Sequence, residues 1–176
     1  MVSQVKKESF LLWITGLSGS GKTTIGRAVY QKLKSQNLSI VFLDGDSFRE
    51  ILGNDLSHTP EDRIKNAKRI SRMCNFLVKQ NISVVCSTMS LYKEIHELNQ
   101  KNIDNYYEIF IECDMEELIK RDQKGLYNSA LNGNVKNVVG IDLPYDEPKN
   151  CKLTIDNSKK DNLDKKVDQI MDILND

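Results

Sequence analysis

Lys22 and Thr23 close a run whose residue types and spacing specify a chemistry, Gly16-Leu17-Ser18-Gly19-Ser20-Gly21-Lys22-Thr23-Thr24. The run fits G-x-x-x-x-G-K-[ST], with an apolar stretch before it (Phe10 to Ile14) and a helical pattern after it (Ile25, Ala28, Val29, Leu33). Glycines let the backbone bend tightly enough for several N–H groups to face one anion, and the following helix adds its positive end. Gly16, Ser18, Gly19, Ser20, Gly21, Lys22, Thr23 and Thr24 would hold a nucleoside triphosphate. Lys22 would lie against the β- and γ-phosphates, and the Thr23 hydroxyl would ligate Mg²⁺. The bland alternative is a glycine-rich strand-to-helix turn with no ligand.

A second group follows the next apolar run, Asp44-Gly45-Asp46-Ser47-Phe48-Arg49. In an open α/β sheet, ligands lie beyond the carboxyl ends of the strands, so Asp44 and Asp46 would face the phosphates. Asp46 is the better general base, placed to orient a hydroxyl and accept its proton. Arg49 would stand at the start of a helix, aimed at an anion. The alternative is an ordinary Asp-Gly turn with solvated charges.

Further on, Thr59-Pro60 reads as an N-cap with proline in the first turn, and Asp62 falls at the capping-box position. The helix after it would present Ile64, Ala67, Ile70, Met73, Cys74, Leu77 and Val78 on one face. Arg63 and Asn66 share another face, either toward a ligand or as a solvated surface. The third run ends near Met89, Ser90 and Lys93, again toward the crevice, whereas His96 reads as surface. From about Lys124 to Asp142 the chain is polar and glycine-punctuated, the pattern of a long mobile connection, either a lid or a disordered insertion.

These groups need a scaffold. Five apolar runs, Phe10–Thr15, Ile40–Leu43, Ser83–Thr88, Tyr107–Glu112 and Lys152–Ile155, alternate with helical patterns. Runs this apolar suit strands covered on both faces, so the expected fold is a single doubly wound α/β domain over residues 1–176 with a parallel five-stranded sheet. The first helix should run from about Lys22 to Ser35, with Asn37 as its stop. A terminal helix should bury Leu163, Val167, Ile170, Met171 and Leu174. The chain has 176 residues, 39% hydrophobic and 28% charged, as in a soluble globular protein. Its 25 basic side chains balance 25 acidic ones, which argues against nucleic acid or a membrane surface as partner. No apolar run approaches the roughly 20 residues of a membrane span. Cys74, Cys86, Cys113 and Cys151 are too widely spaced for a C-x-x-C pattern and read as reduced thiols, Cys86 and Cys113 in the core. The cytoplasm is the expected compartment.

Taken together, G-L-S-G-S-G-K-T-T, L-D-G-D-x-x-R, D-L-x-x-T-P-E-D-R-x-x-N, R-D-x-K-G-L-Y and G-I-D-x-P-Y resemble the adenylylsulfate kinases, in the same order, from about Phe10 to Pro148. The resemblance implies a P-loop kinase that transfers the γ-phosphate of ATP, with Mg²⁺, to the ribose 3′-hydroxyl of a nucleotide, and it suggests a homodimer. Residue by residue, it implies that the P-loop run holds ATP and metal and that Arg121 packs near the ATP adenine. Asp46 takes the hydroxyl proton, and a lid closes over about 124–142. The acceptor would lie against Asp44, Asp46, Arg49, His58, Arg63, Asn66, Met89, Ser90, Leu126, Asn128, Lys136, Val138 and Val139.

The departures from the family pattern fall on the acceptor side. The family sandwiches the acceptor adenine between two phenylalanines; His58 and Val138 stand at those positions. Asn128 replaces a lysine after G-L-Y, and Ser90-Leu91-Tyr92-Lys93 replaces S-P-x-R. Base stacking on an aromatic is worth roughly 1–3 kcal/mol, and lysine cannot reproduce the fork of arginine on an oxyanion. The expected acceptor is therefore a nucleotide 5′-anhydride with a different base, similar to that of the cytidine diphosphoramidate kinase branch. A true adenylylsulfate kinase that has drifted remains the alternative. From another class, a P-loop nucleotide switch would need no acceptor site.

Overall fold

The structure is a computed structural model, which describes residues 8–36, 38–122 and 124–175. The strands are β1 (Leu11–Thr15), β2 (Ile40–Asp44), β3 (Ser83–Thr88), β4 (Tyr106–Glu112) and β5 (Leu153–Asp156). The helices are α1 (Lys22–Lys34), α2 (Gly45–Ile51), α3 (Pro60–Lys79), α4 (Lys93–Asn102), α5 (Met115–Arg121), α6 (Leu126–Leu131) and α7 (Leu163–Asn175). All four strand pairings are parallel, in the order β2-β3-β1-β4-β5. All five expected strands form, with ends shifted by at most a residue. Asn37, the expected stop of the first helix, lies outside the described residues; the helix ends at Lys34, capped by Ser35.

Successive strand side chains point to opposite faces, and β1 shows why both must be apolar. Leu12 and Ile14 pack with Ile25, Val29 and Leu33 of α1 and Val167, Ile170 and Met171 of α7. Leu11 and Trp13 pack with Ala67, Ile70 and Cys74 of α3 and Ile95 of α4. A third cluster, with Leu17, Leu91, Phe110, Leu118, Tyr127, Val138 and Val139, starts from Phe110 of β4 and otherwise draws on residues outside the strands. It roots the segment above the site. Strand order reverses at β1, between β3 and β4, and the crevice that this leaves lies over the carboxyl ends of β1, β2 and β3.

Several expectations are corrected. His96 is not on the surface: it is 7% exposed, and its Nδ1 meets Oε1 of the buried Glu108. A carboxylate in the interior of β4 requires a partner, and helical periodicity does not show one lying across the sheet. Met73 turns outward from α3 and is partly exposed, as is Leu163 at the start of α7, while Asn66 and Ser71 are buried. Cys113 is only partly buried. Asp62 does not close a capping box on Thr59: the Thr59 hydroxyl accepts from Asp62 N, but Asp62 Oδ2 accepts from Ser57 N at 2.8 Å. No helix among the described residues is long and apolar enough to cross a membrane.

Candidate active site

The P-loop runs from the end of β1 into α1. Its amides can face an anion only if its carbonyls are turned away and find donors elsewhere. Six successive carbonyls do. Leu17 O accepts from Lys22 Nζ at 2.9 Å, and Ser18 O from the Tyr127 hydroxyl at 2.7 Å. Gly19 O accepts from Arg121 Nη1 at 3.3 Å, and Ser20 O from Asn157 Nδ2 at 2.6 Å. Gly21 O accepts from Ile25 N at 3.0 Å, and Lys22 O from the Ser87 hydroxyl at 3.1 Å. Gly16 is required by contact as well as conformation: at φ 156°, a Cβ would stand 2.5 Å from Ile111 O. Thr24 is exposed on the first turn of α1.

Lys22 is half-buried, and burial pulls its ammonium down from 10.5 to about 8, against the opposing pull of Asp46 and Asp44. A triphosphate bound beside it would raise it again. The Thr23 hydroxyl donates to Asp44 Oδ2 at 2.9 Å. The other Asp44 oxygen caps α2, accepting from Asp46 N at 3.1 Å and Ser47 N at 3.3 Å. Asp44 therefore ties the hydroxyl at the α1 start to the helix bearing Asp46 and Arg49. Burial pushes the Asp46 carboxyl up, but the hydrogen bond and charge of Lys124, with Lys22 and Arg49, outweigh it and hold it below its ordinary value.

Next to Asp46 opens a cleft of about 560 Å³. The sequence-derived residues that line it are Ser18, Lys22, Thr23, Asp44, Asp46, Arg49, His58, Arg63, Asn66, Met89, Ser90, Leu126, Lys136 and Val138. Arg49 lies in the last turn of α2, not at the start of a helix, and its Nη1 holds the carbonyls of Leu56 and Ser57. Arg63 binds two segments at once, donating from Nε to His58 O and from Nη2 to Asn137 O, both at 2.9 Å. Its guanidinium thus joins the loop bearing His58 to the segment bearing Val138. Burial lowers the His58 imidazole below its ordinary value, and Arg63 and Arg49 add to the effect. The ring is therefore neutral at pH 7, with one donor and one acceptor nitrogen.

Three expected positions lie elsewhere. Asn128 does not line the cleft: its N and Nδ2 donate to Asp122 Oδ2 at 2.9 and 2.8 Å, helping to cap α6. Val139 is buried in the same cluster as Val138 but does not line the cleft, and it bridges to Leu143. Lys93 starts α4, is mostly exposed and pairs with Glu97. The connection over 124–142 is also more ordered than expected. It contains α6, buries Tyr127, and turns tightly where Asp142 accepts from the amides of Asn137 and Val138. Arg121 is consumed by Glu117, Gly19 O, Asn157 O and Ser158 O.

Sequence reasoning missed Lys124 as the partner of Asp46, Tyr127 as a donor to Ser18 O, and Asn157 as a donor to Ser20 O. The aromatic residue inside the glycine-rich connection was a readable signal for Tyr127. Nothing local marks Asn157, 137 residues from its acceptor.

The family model for adenylylsulphate kinase matches residues 8–156. A curated relative from Campylobacter jejuni, cytidine diphosphoramidate kinase, is 47% identical over 167 residues, covering 95% of this chain and 97% of the relative. A probable adenylyl-sulfate kinase from Archaeoglobus fulgidus is 38% identical over 153 residues, covering 87% and 99%. The structure of the Mycobacterium tuberculosis APS kinase in complex with AMPPNP and APS superposes with a TM-score of 0.88 at 32% identity, covering 96% of this chain and 99% of that one. The fold is thus that of a P-loop kinase, and the chain belongs to the adenylylsulphate kinase family, phosphotransferases with a hydroxyl acceptor.

Proposed function

We propose that this protein transfers the γ-phosphate of ATP to the ribose 3′-hydroxyl of a nucleotide 5′-anhydride whose base is not adenine, cytidine diphosphoramidate being the best-fitting acceptor, in capsular phosphoramidate biosynthesis. The observation that carries the reading is the wall of the cleft. His58 and Val138 line it where the family resemblance implies two stacking aromatics. A neutral imidazole and a branched aliphatic side chain are smaller than two phenyl rings and shape a different slot with one polar wall, and cytosine presents both a donor amine and acceptors to such a ring. The cytidine diphosphoramidate kinase of C. jejuni, 47% identical, supports the same acceptor.

In the proposed reaction, the 3′-hydroxyl oxygen attacks the γ-phosphorus in line, the bond to the β-phosphate oxygen breaks, and ADP leaves. Asp46, ionised at neutral pH, accepts the hydroxyl proton. Lys22 and the P-loop amides hold the phosphates, and Arg49, Arg63 and Asn66 position the acceptor. The Thr23 hydroxyl and Asp44 carboxylate, 2.9 Å apart, are hard oxygen donors that fit Mg²⁺, which keeps waters and phosphate oxygens among its ligands. Thr23 would hold it with Asp44 behind; when bound, Mg²⁺ draws charge from the transferred group. The segment over Lys124 to Asp142 would exclude water. A homodimer in the cytoplasm is the expected form.

ATP turnover measured with cytidine diphosphoramidate and with adenylylsulfate tests the reading. The expected result is a higher kcat/KM for the cytidine compound and a 3′-phosphate ester as product. A higher kcat/KM for adenylylsulfate would assign the chain to true adenylylsulfate kinases, the reading that the intact donor side and the A. fulgidus relative also support.

A further inference from the structure

We propose that Asn157 and Lys166 are positioning residues for the phosphate donor, acting through the Ser20 carbonyl of the P-loop. The proposal rests on the donor half of the function above, that ATP lies in the P-loop, and not on the identity of the acceptor.

Lys166 is a lysine only 8% exposed, closing the first turn of α7. Its Nζ donates to Asn157 Oδ1 and to Lys159 O, each at 2.8 Å, and lies 3.4 Å from Asp161 Oδ1. Asn157 is 6% exposed, directly after β5, with its own N donating to Glu112 O at 2.9 Å. Its Nδ2 donates to Ser20 O at 2.6 Å. The order of this relay is fixed by chemistry. An ammonium has donors only and a carbonyl acceptors only. The amide between them must therefore present its oxygen to Lys166 and its nitrogen to Ser20. Lys166 thus sets the orientation of a side chain that could otherwise rotate by half a turn and place an oxygen against an oxygen.

The contact leaves the loop no latitude. Gly21 follows Ser20 at φ 98°, and a Cβ there would stand 2.4 Å from Asn157 Nδ2. Ser20 itself is fully buried. With the Ser20 carbonyl held back, the amides that follow it open toward the phosphate position at the start of α1. Without the relay, the Ser20–Gly21 peptide can rotate, and the cradle becomes one conformation among several. That loss lowers donor affinity before any chemistry occurs.

The decisive variant is Asn157→Asp. It is isosteric and keeps a partner for Lys166, so the fold is retained, but it can only accept and so opposes Ser20 O. Lys166→Met and Lys166→Arg complete the set, with Lys22→Met as the control for the donor reading. Each protein is titrated with ATP alone and assayed with both substrates. For Asn157→Asp and Lys166→Met, the expected result is an ATP Kd and KM raised about tenfold, the scale of one lost hydrogen bond and its mispairing. The kcat and the acceptor KM stay within roughly twofold, as for interactions shared by ground and transition states. Lys166→Arg should recover most of the affinity. An unchanged ATP Kd in Asn157→Asp, with or without a lowered Tm, overturns the proposal. If Lys22→Met also binds ATP like the parent, it is the donor reading itself that fails.

Discussion

Replacing Lys22 by methionine should make the empty protein more stable while removing its grip on nucleotide. Burial holds the Lys22 ammonium at about 8 instead of 10.5 in spite of Asp46 and Asp44. At 1.36 kcal/mol per pH unit, keeping that charge costs the folded chain at most about 3 kcal/mol at neutral pH. Water reaches the half-buried side chain, and methionine forfeits the hydrogen bond to Leu17 O, about 1 kcal/mol. A net gain of about 1–2 kcal/mol remains, which for a domain of this size raises Tm by roughly 2–8 °C. The pH dependence separates this cause from a packing effect. The folded chain releases the proton near pH 8 and the unfolded chain near 10.5, so between them the unfolded state binds more protons. Stability of the parent should therefore rise with pH through that window, relative to the variant, and the two should run parallel below it. The assay is thermal unfolding at pH 7 and across pH 8–10.5, with and without ATP. ATP should raise the Tm of the parent and leave that of the variant unmoved. A variant less stable than the parent at pH 7 without nucleotide, and parallel to it through the alkaline window, would refute the reasoning.

The remaining expectations concern the acceptor half. Asp46→Asn should lose most turnover while ATP binding, followed by calorimetry, survives; an unchanged kcat would remove Asp46 from proton transfer. Restoring two aromatic walls with His58→Phe and Val138→Phe together should shift the ratio of kcat/KM toward adenylylsulfate by about ten- to a hundredfold, from one to two stacking contacts. Steady-state rates with both acceptors measure that ratio, and an unmoved ratio would detach base choice from these two positions.

The doubly wound sheet could be read from the chain because its strands are covered on both faces, so their runs are continuous. The glycine run, the Asp44–Asp46 pair and the Arg63–Asn66 spacing were likewise local patterns, and the fold gathers them at one cleft. What escaped depended on distant partners. His96 looks like one more polar residue on an amphipathic helix, and only the fold shows that β4 places Glu108 beneath it. Asn128 occupies a position that the resemblance assigns to ligand, but Asp122 is close enough to capture an amide of that length. The connection over 124–142 has too few apolar residues to suggest a packed element. Tyr127, Val138 and Val139 nevertheless suffice, because Leu17, Leu91 and Phe110 supply an apolar ledge for them to pack on.

Asp44 is the last residue of β2, and its two oxygens serve different masters: one receives the Thr23 hydroxyl, the other the first amides of α2. The gap between the phosphate cradle and the Asp46 carboxylate is thus written into a rigid corner of the sheet, before either substrate arrives. Little of the entropy of bringing phosphorus and alcohol together is left to be lost at the moment of transfer, which is the origin of high effective molarity. In the proposed reaction the same corner would not adapt to an alcohol at another distance from Asp46, so a change of acceptor would have to be accommodated at the far wall.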